Sequence, residues 1–125
     1  MAEITGLITF LFVTDLETSH QFYSGLLGLN LAVDQGDCRI YRITDSGFLG
    51  ICARPGRVHD DGLIVTLITD SVDETHQRLV AAGAVVESAP KHSAQYQIHH
   101  AFYRDPDGHL IEVQSFDDPD WAAVR

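Results

Sequence analysis

The sequence predicts an α+β fold made of two tandem βαβββ modules, and the main reason is an internal repeat. Phe12-Val13-Thr14-Asp15 is followed by a helix-like segment and Gly28, and Leu67-Ile68-Thr69-Asp70 is followed by a similar segment and Gly83. The second aspartate and the second glycine both lie 55 positions after the first. A repeated unit that cannot bury its apolar face alone has to pack against its copy. We therefore expect one domain over residues 1–125, with module one at about 5–54, module two at about 62–116, and the binding site between them.

Each element of the first module has its own signal. β-Branched and aromatic residues from Leu7 to Val13 predict a strand, and Asp15 is placed to cap the helix that follows. Apolar residues at helical spacing continue to Leu27, and Gly28 suits the left-handed position that ends a helix. Turn residues then separate three predicted strands, at 29–33, 39–44 and 48–53.

The second module repeats this order. We predict a strand at 63–69, a helix at about 72–82, and strands near 84–88, 96–104 and 109–116. Residues 55–62 connect the two copies, and Pro119 prevents the last strand from continuing. The mixture of helices and strands in each copy gives the α+β class.

Composition excludes several kinds of partner. The chain has 18 acidic and 8 basic residues, and a net charge of −10 argues against nucleic acid and against an anionic membrane. The first residues form no signal peptide and no apolar stretch is long enough to span a membrane, so we expect a cytoplasmic protein. A hairpin folded about Ser46-Gly47 does not bring Cys38 and Cys52 opposite each other. Reduced thiols are therefore expected, which suits the cytosol.

Two motifs, in order within the repeat, resemble the vicinal oxygen chelate superfamily. The first is Phe22-Tyr23 followed by Leu26-Leu27-Gly28-Leu29, and the second is the segment 104–112, which reads Arg-Asp-Pro-Asp-Gly-His-Leu-Ile-Glu. That superfamily includes glyoxalase I, the bleomycin-resistance proteins, fosfomycin-resistance transferases and extradiol dioxygenases. The resemblance implies a curved mixed sheet around a cavity and, for a small member, a homodimer. It does not decide function, because the superfamily contains both metal enzymes and metal-free binding proteins.

The resemblance also implies where a metal would be held. The metal enzymes take their ligands from the first and last strands of the modules, and these positions fall near Ile8, Ile51, Leu63 and Glu112. Isoleucine and leucine have no lone pair to donate, and one carboxylate is fewer than the three to six donors that divalent ions require. We therefore expect neither a metal nor another cofactor. A divalent ion at Glu112 is the alternative.

Aromatic residues of the predicted strands are the first candidates for ligand binding. Alternation along the first strand places Phe10 and Phe12 on the face that carries Ile8, where they could pack in the core or stack on a ligand. Tyr41 and Tyr103 are matched in the repeat and could line opposite walls of the cavity.

Polar residues of the last two strands complete the candidate site. Glu112 and Gln114 alternate along the last strand and share one face. A hairpin loop with an even number of residues would place His99 beside Glu112, whereas a bulge would substitute His100 and Phe102. Glu112 and His99 are the candidate catalytic residues if the protein is an enzyme.

Two classes of function follow. The preferred one is a metal-free binding protein of the bleomycin-resistance type, a class linked to antibiotic resistance, which would sequester a small organic compound. The excess of acidic over basic residues and the aromatic residues favour a cationic or aromatic ligand. The other class is an enzyme, either a glyoxalase-like lyase or isomerase or a dioxygenase, with an atypical site centred on Glu112. The expected partners are thus a small molecule and a second copy of the chain.

Overall fold

The computed structural model describes residues 3–54, 56 and 62–124, so most of the predicted connection at 55–62 lies outside the described residues. The chain divides into two compact units. The first contains the first module together with residues 106–108, and the second contains the rest of the second module. Each unit holds one mixed four-stranded sheet, which confirms the predicted α+β class and the βαβββ order.

The first unit begins with strand β1 (Leu7–Val13), followed by helix α1 (Leu16–His20). The helix passes directly into a π-helical segment, Gln21–Leu26, which the apolar spacing did not indicate. Strands β2 (Asn30–Asp34), β3 (Cys38–Arg42) and β4 (Gly47–Ala53) complete the unit. Their order across the sheet is β1-β4-β3-β2, with β1 parallel to β4 and the other neighbours antiparallel.

The second unit has the same topology. It contains β5 (Ile64–Ile68), α2 (Val72–Ala81), β6 (Val85–Ser93), β7 (Ile98–Arg104) and β8 (Leu110–Phe116), in the order β5-β8-β7-β6. A short helix α3 (Pro119–Val124) follows β8. Strand β6 runs five residues beyond its predicted end at Ser88, and it is irregular between Ser88 and Lys91.

Local signals read from the sequence have the predicted roles. The carboxylate of Asp15 accepts hydrogen bonds from the backbone N–H groups of Glu17 and Thr18, so it caps α1 as expected. Gly28 and Gly83 have φ angles of 73° and 86°. This is the left-handed conformation that often ends a helix and that glycine adopts without steric cost. The sequence repeat thus includes the glycine that ends the helix in each module.

One face of each sheet is covered by the helix of its own unit, and we call the other face the far face. Tyr41 and Tyr103 lie on the helix faces, with no exposed surface. The hydroxyl of Tyr41 is 2.7 Å from Nδ1 of His20 on α1, and the hydroxyl of Tyr103 is 2.7 Å from Nδ1 of His76 on α2. Each helix is therefore held to its sheet by an equivalent contact between a histidine and a tyrosine.

Cys38 and Cys52 contradict the expectation of reduced thiols. They lie opposite each other on β3 and β4, with Cα atoms 4.1 Å apart and the two sulfurs bonded. The reason is the position of the turn: Arg42 pairs with Phe48, so the hairpin is centred on Asp45 and not on Ser46-Gly47. The argument for the cytosol that rested on free thiols therefore fails. No helix within the described residues is long and apolar enough to cross a membrane.

Candidate functional site

Glu112 lies in the middle of β8 on the far face of the second sheet, and its side chain is engaged at both oxygens. Only 8% of the residue is exposed. Oε1 accepts a hydrogen bond of 2.8 Å from the hydroxyl of Thr66, which is directly opposite on β5. Oε2 is 2.7 Å from Nδ1 of His100 on β7. One carboxylate thus links three neighbouring strands.

The histidine beside Glu112 is His100, so the prediction that His99 shares its face is wrong. Arg104 pairs with Leu110, which leaves five residues in the hairpin loop between β7 and β8. An odd number shifts the register by one residue and turns every side chain of β7 to the other face. His99 therefore lies on the helix face, where its Nε2 is 2.9 Å from Oδ1 of Asp73 on α2.

The carboxylate fixes the proton on His100. An ionised Glu112 can only accept hydrogen bonds, so Nδ1 of His100 must be the donor. Nε2 makes no hydrogen bond to any residue that the structure describes. It is an acceptor in the neutral ring and a donor in the protonated ring. His100 therefore offers one anchored nitrogen and one nitrogen available to a ligand.

Phe102 and Gln114 complete the polar and aromatic surface around Glu112. Phe102 pairs with Glu112, and Gln114 pairs with His100. The ring of His100 meets that of Phe102 edge-on, with centroids 5.1 Å apart. Gln114 is buried. A few polar groups among aromatic and apolar side chains are typical of small-molecule sites.

Tyr41 and Tyr103 do not join this surface, contrary to the expectation that they line a cavity with Glu112. Tyr103 pairs with Ile111 and therefore points away from the face of Glu112. Burial raises the pKa of each tyrosine to about 12. Both hydroxyls stay neutral over the ordinary pH range and bond to helix histidines, which makes these tyrosines core residues.

The far face of the first sheet is apolar and aromatic. Phe10, Phe12 and Ile8 share it, as alternation predicted. The ring of Phe10 lies directly over Gly50, so closely that a Cβ there would clash with it. Phe10 is 43% exposed, which argues against a core role within this unit. The guanidinium of Arg54 lies 5.5 Å from the ring centre of Phe12.

The side chains around Glu112 do not fit a divalent metal. Gly50 is the counterpart of Glu112 in the first sheet, because each lies two residues after the first paired residue of its hairpin's second strand, Phe48 opposite Arg42 and Leu110 opposite Arg104. Ile51, to which the family position was assigned, lies fully buried on the helix face. Within the described part of the chain, no three His, Cys, Asp or Glu side chains come together as a metal-binding group. Glu112 already accepts two hydrogen bonds in place of a metal.

Comparison with known proteins identifies the family. The family model described as the Glyoxalase/Bleomycin resistance protein/Dioxygenase superfamily matches residues 5–113. The chain therefore belongs to this superfamily. The superfamily includes enzymes and proteins that are not enzymes, so membership leaves the activity open.

Solved structures of three proteins resemble this fold. A glyoxalase/bleomycin resistance protein from Albidiferax ferrireducens is 27% identical, with a TM-score of 0.72 over 86% of this chain and 95% of its own. One from Catenulispora acidiphila is 20% identical, with a TM-score of 0.74 over 90% and 98%. An integron cassette protein from a sewage outfall metagenome at Halifax Harbour is 20% identical, with a TM-score of 0.75 over 90% and 100%. The last two similarities show the fold alone.

Proposed function

We propose that this protein is a metal-independent binding protein for a small organic molecule, which it holds on the far face of the second sheet. The observation that carries the proposal is the state of Glu112: both carboxylate oxygens are taken up by Thr66 and His100. A buried carboxylate satisfied in this way is suited to orienting an imidazole and poorly suited to binding a metal. Sequestration of an organic compound is the role expected of a bleomycin-resistance type protein.

Phe102 gives the site its affinity for an aromatic or apolar group. It pairs with Glu112 and meets the ring of His100 edge-on, and it remains partly exposed. An aromatic ring stacked on it gains buried area and a favourable ring–ring geometry. His100 and Gln114 are placed to make directional hydrogen bonds to the polar end of the same molecule.

The contacts of Glu112 weaken the case for a cationic ligand. That case needs a carboxylate whose charge is available to the ligand, whereas Glu112 is hydrogen-bonded to His100 at 2.7 Å. A cation would have to compete with this bond and with that from Thr66. The overall charge of −10 acts over long range and is screened by salt. The aromatic part of the ligand class therefore has more support than the cationic part.

The test is a screen of aromatic fragments against 15N-labelled protein, followed by backbone amide shifts. We expect binders whose shifts concentrate on β7 and β8, and Phe102→Leu should weaken them several-fold. Tyr96→Leu is the matched control, because Tyr96 is 63% exposed in the turn before β7. A screen without binders, or affinities that Phe102→Leu leaves unchanged, would refute the proposal.

An enzyme is the second candidate, and the Glu112–His100 pair is the specific observation that favours it. A histidine anchored at Nδ1 by a carboxylate can accept a proton at Nε2 as a general base. A matching reaction is removal of a proton from the carbon beside a carbonyl, which leaves an enolate and an imidazolium. Uptake of solvent deuterium by acetophenone, followed by NMR, tests it. His100→Gln should abolish any catalysed uptake, and no uptake above the buffer rate counts against this candidate.

A further inference from the structure

Lys91 is the only lysine of the chain, and it lies directly beside the candidate site. It pairs with His100 across β6 and β7, and His100 pairs in turn with Gln114 on β8. Directly paired residues point to the same face of a sheet, about 4.8 Å apart. Lys91, His100 and Gln114 therefore form one row on the far face of the second sheet, which we call the donor row.

The donor row carries the positive charge of Lys91, and the carboxylates near it already have partners. Glu112 is engaged by Thr66 and His100. Glu87, on the same strand as Lys91, forms an ion pair of 3.1 Å with Arg104. Lys91 is exposed, and its side chain makes no hydrogen bond or ion pair with any residue in the described part of the chain. Its ammonium is thus available to a ligand, in contrast to the nearby carboxylates.

We propose that the donor row binds the carboxylate of an organic acid whose apolar or aromatic part lies on Phe102. The ammonium of Lys91, the Nε2–H of a protonated His100 and the amide of Gln114 are the donors. With Glu112 behind His100, the arrangement alternates in sign: carboxylate, imidazolium, ligand carboxylate, ammonium. Each charge then has a partner of opposite sign, which is what a partly buried site requires.

Spacing along β7 sets the shape of the acid. Phe102 follows His100 by two residues on the same face, a distance of about 6.6 Å along the strand. A ligand that reaches both groups needs a carboxylate separated from its ring by a short flexible chain. This assignment rests on the proposed function, and it replaces the cationic ligand expected from the acidic sequence by an anionic one.

The experiment compares three probes of similar size: 4-phenylbutyrate, the neutral 4-phenylbutanamide and the cationic 4-phenylbutylamine. Affinities are measured by calorimetry or NMR at fixed moderate salt. We expect the acid to bind on the order of tenfold tighter than the amide, the effect of one hydrogen bond to a charged group. Lys91→Met should reduce the preference for the acid over the amide several-fold, whereas Lys91→Arg should retain it.

Two controls make the result specific. Arg78→Gln removes a positive charge from the exposed side of α2 and should leave all three affinities unchanged. Because Lys91 is the only lysine, reductive methylation with 13C-formaldehyde labels one side chain besides the α-amino group. The labelled dimethyllysine keeps its charge, and its NMR signal should shift with 4-phenylbutyrate in proportion to binding.

The remaining outcomes distinguish failure of the carboxylate assignment from failure of the proposed function. Equal affinity of the acid and the amide, or tighter binding of the amine, overturns the carboxylate assignment and leaves the proposed function in place. The same holds if none of the three probes binds while other aromatic fragments do bind at β7 and β8. If no aromatic compound binds at all, both the assignment and the proposed function are refuted.

Discussion

Nδ1 of His100 lies 2.7 Å from Oε2 of Glu112, while the other carboxylate oxygen accepts a hydrogen bond from Thr66. Strands β5, β8 and β7 are therefore joined by a single buried side chain. Removing one partner of such a group leaves a buried donor or acceptor unsatisfied, which costs more than the bond itself contributes. The contacts of Glu112 consequently contribute to the stability of the second unit.

Glu112→Gln is expected to lower the free energy of unfolding by about 1–2 kcal/mol, because an amide cannot accept two hydrogen bonds at separate oxygens. Thr66→Val should cost less, since Thr66 is exposed and can bond to water. Glu74→Gln is the matched control, because it makes the same change at an exposed carboxylate on α2. Urea denaturation measures all three. Equal effects of Glu112→Gln and Glu74→Gln would show that the contacts of Glu112 contribute nothing.

Metal content is the second prediction. With Gly50 at the position equivalent to Glu112, and with Ile8 on β1, we expect protein purified without chelator to carry no stoichiometric divalent ion. Elemental analysis measures this, and added EDTA should leave the thermal midpoint unchanged. Close to one zinc, iron, manganese or nickel ion per chain, lost in Glu112→Gln, would contradict the metal-independent function.

Reduction of the Cys38–Cys52 disulfide is the third. The bond closes a loop between residues 14 positions apart, and cross-linking a loop of about 15 residues stabilises a fold by about 3 kcal/mol. We expect a reducing agent to lower the stability of the native chain by a large part of this amount. The double variant Cys38→Ser, Cys52→Ser should have the stability of the reduced protein, and adding the reducing agent should not change it. Two alkylatable thiols in protein kept under air would disprove the disulfide.

Several errors in the predicted placement of side chains have a common physical cause. Alternation within a strand was read correctly, which is why Phe10 and Phe12 share a face with Ile8, and Glu112 with Gln114. What failed was the register between strands. Both hairpins, 43–47 and 105–109, have five-residue loops, and one residue more or less turns a whole strand over.

That single uncertainty accounts for three misplacements. It exchanged His99 for His100, turned Tyr103 from the helix face to the face of Glu112, and separated Cys38 from Cys52. The repeat contained the missing signal. Each module has a histidine on its helix and a tyrosine on its third strand, and a tyrosine can meet a helix histidine only from the helix face. Nothing in the sequence singles out Lys91, because its place in the proposed site comes from its pairing with His100.

A homodimer is the fourth prediction. β1 is an edge strand of the first sheet, and its exposed apolar residues include Leu7 and Ile8, at 69% and 42% exposure. Exposed edges of this composition are pairing sites. We expect a dimeric mass by light scattering at tens of micromolar, and a monomeric mass for Leu7→Lys. Leu31→Lys, on the opposite edge strand β2 and at a residue that is 44% exposed, is the control that should remain dimeric. A monomeric native protein would contradict this.

The last prediction concerns alkaline pH and the tyrosines on the helix faces. Burial raises the pKa of Tyr41 and Tyr103 to about 12, from an ordinary value of about 10. Between these values the folded protein holds protons that the unfolded chain has released. The stability contribution is thus complete below about pH 10 and falls as pH rises towards 12, by about 1 kcal/mol per pH unit for each tyrosine.

Urea denaturation between about pH 9 and 11 checks this slope. Tyr41→Phe with Tyr103→Phe should flatten it, at a cost near neutral pH of about 1 kcal/mol for each lost hydrogen bond to His20 or His76. Tyr96→Phe changes an exposed tyrosine in a turn and should leave the slope as it is. A slope that survives the double substitution would mean that other groups cause the alkaline loss, and that the two buried hydroxyls titrate alike in the folded and unfolded chains.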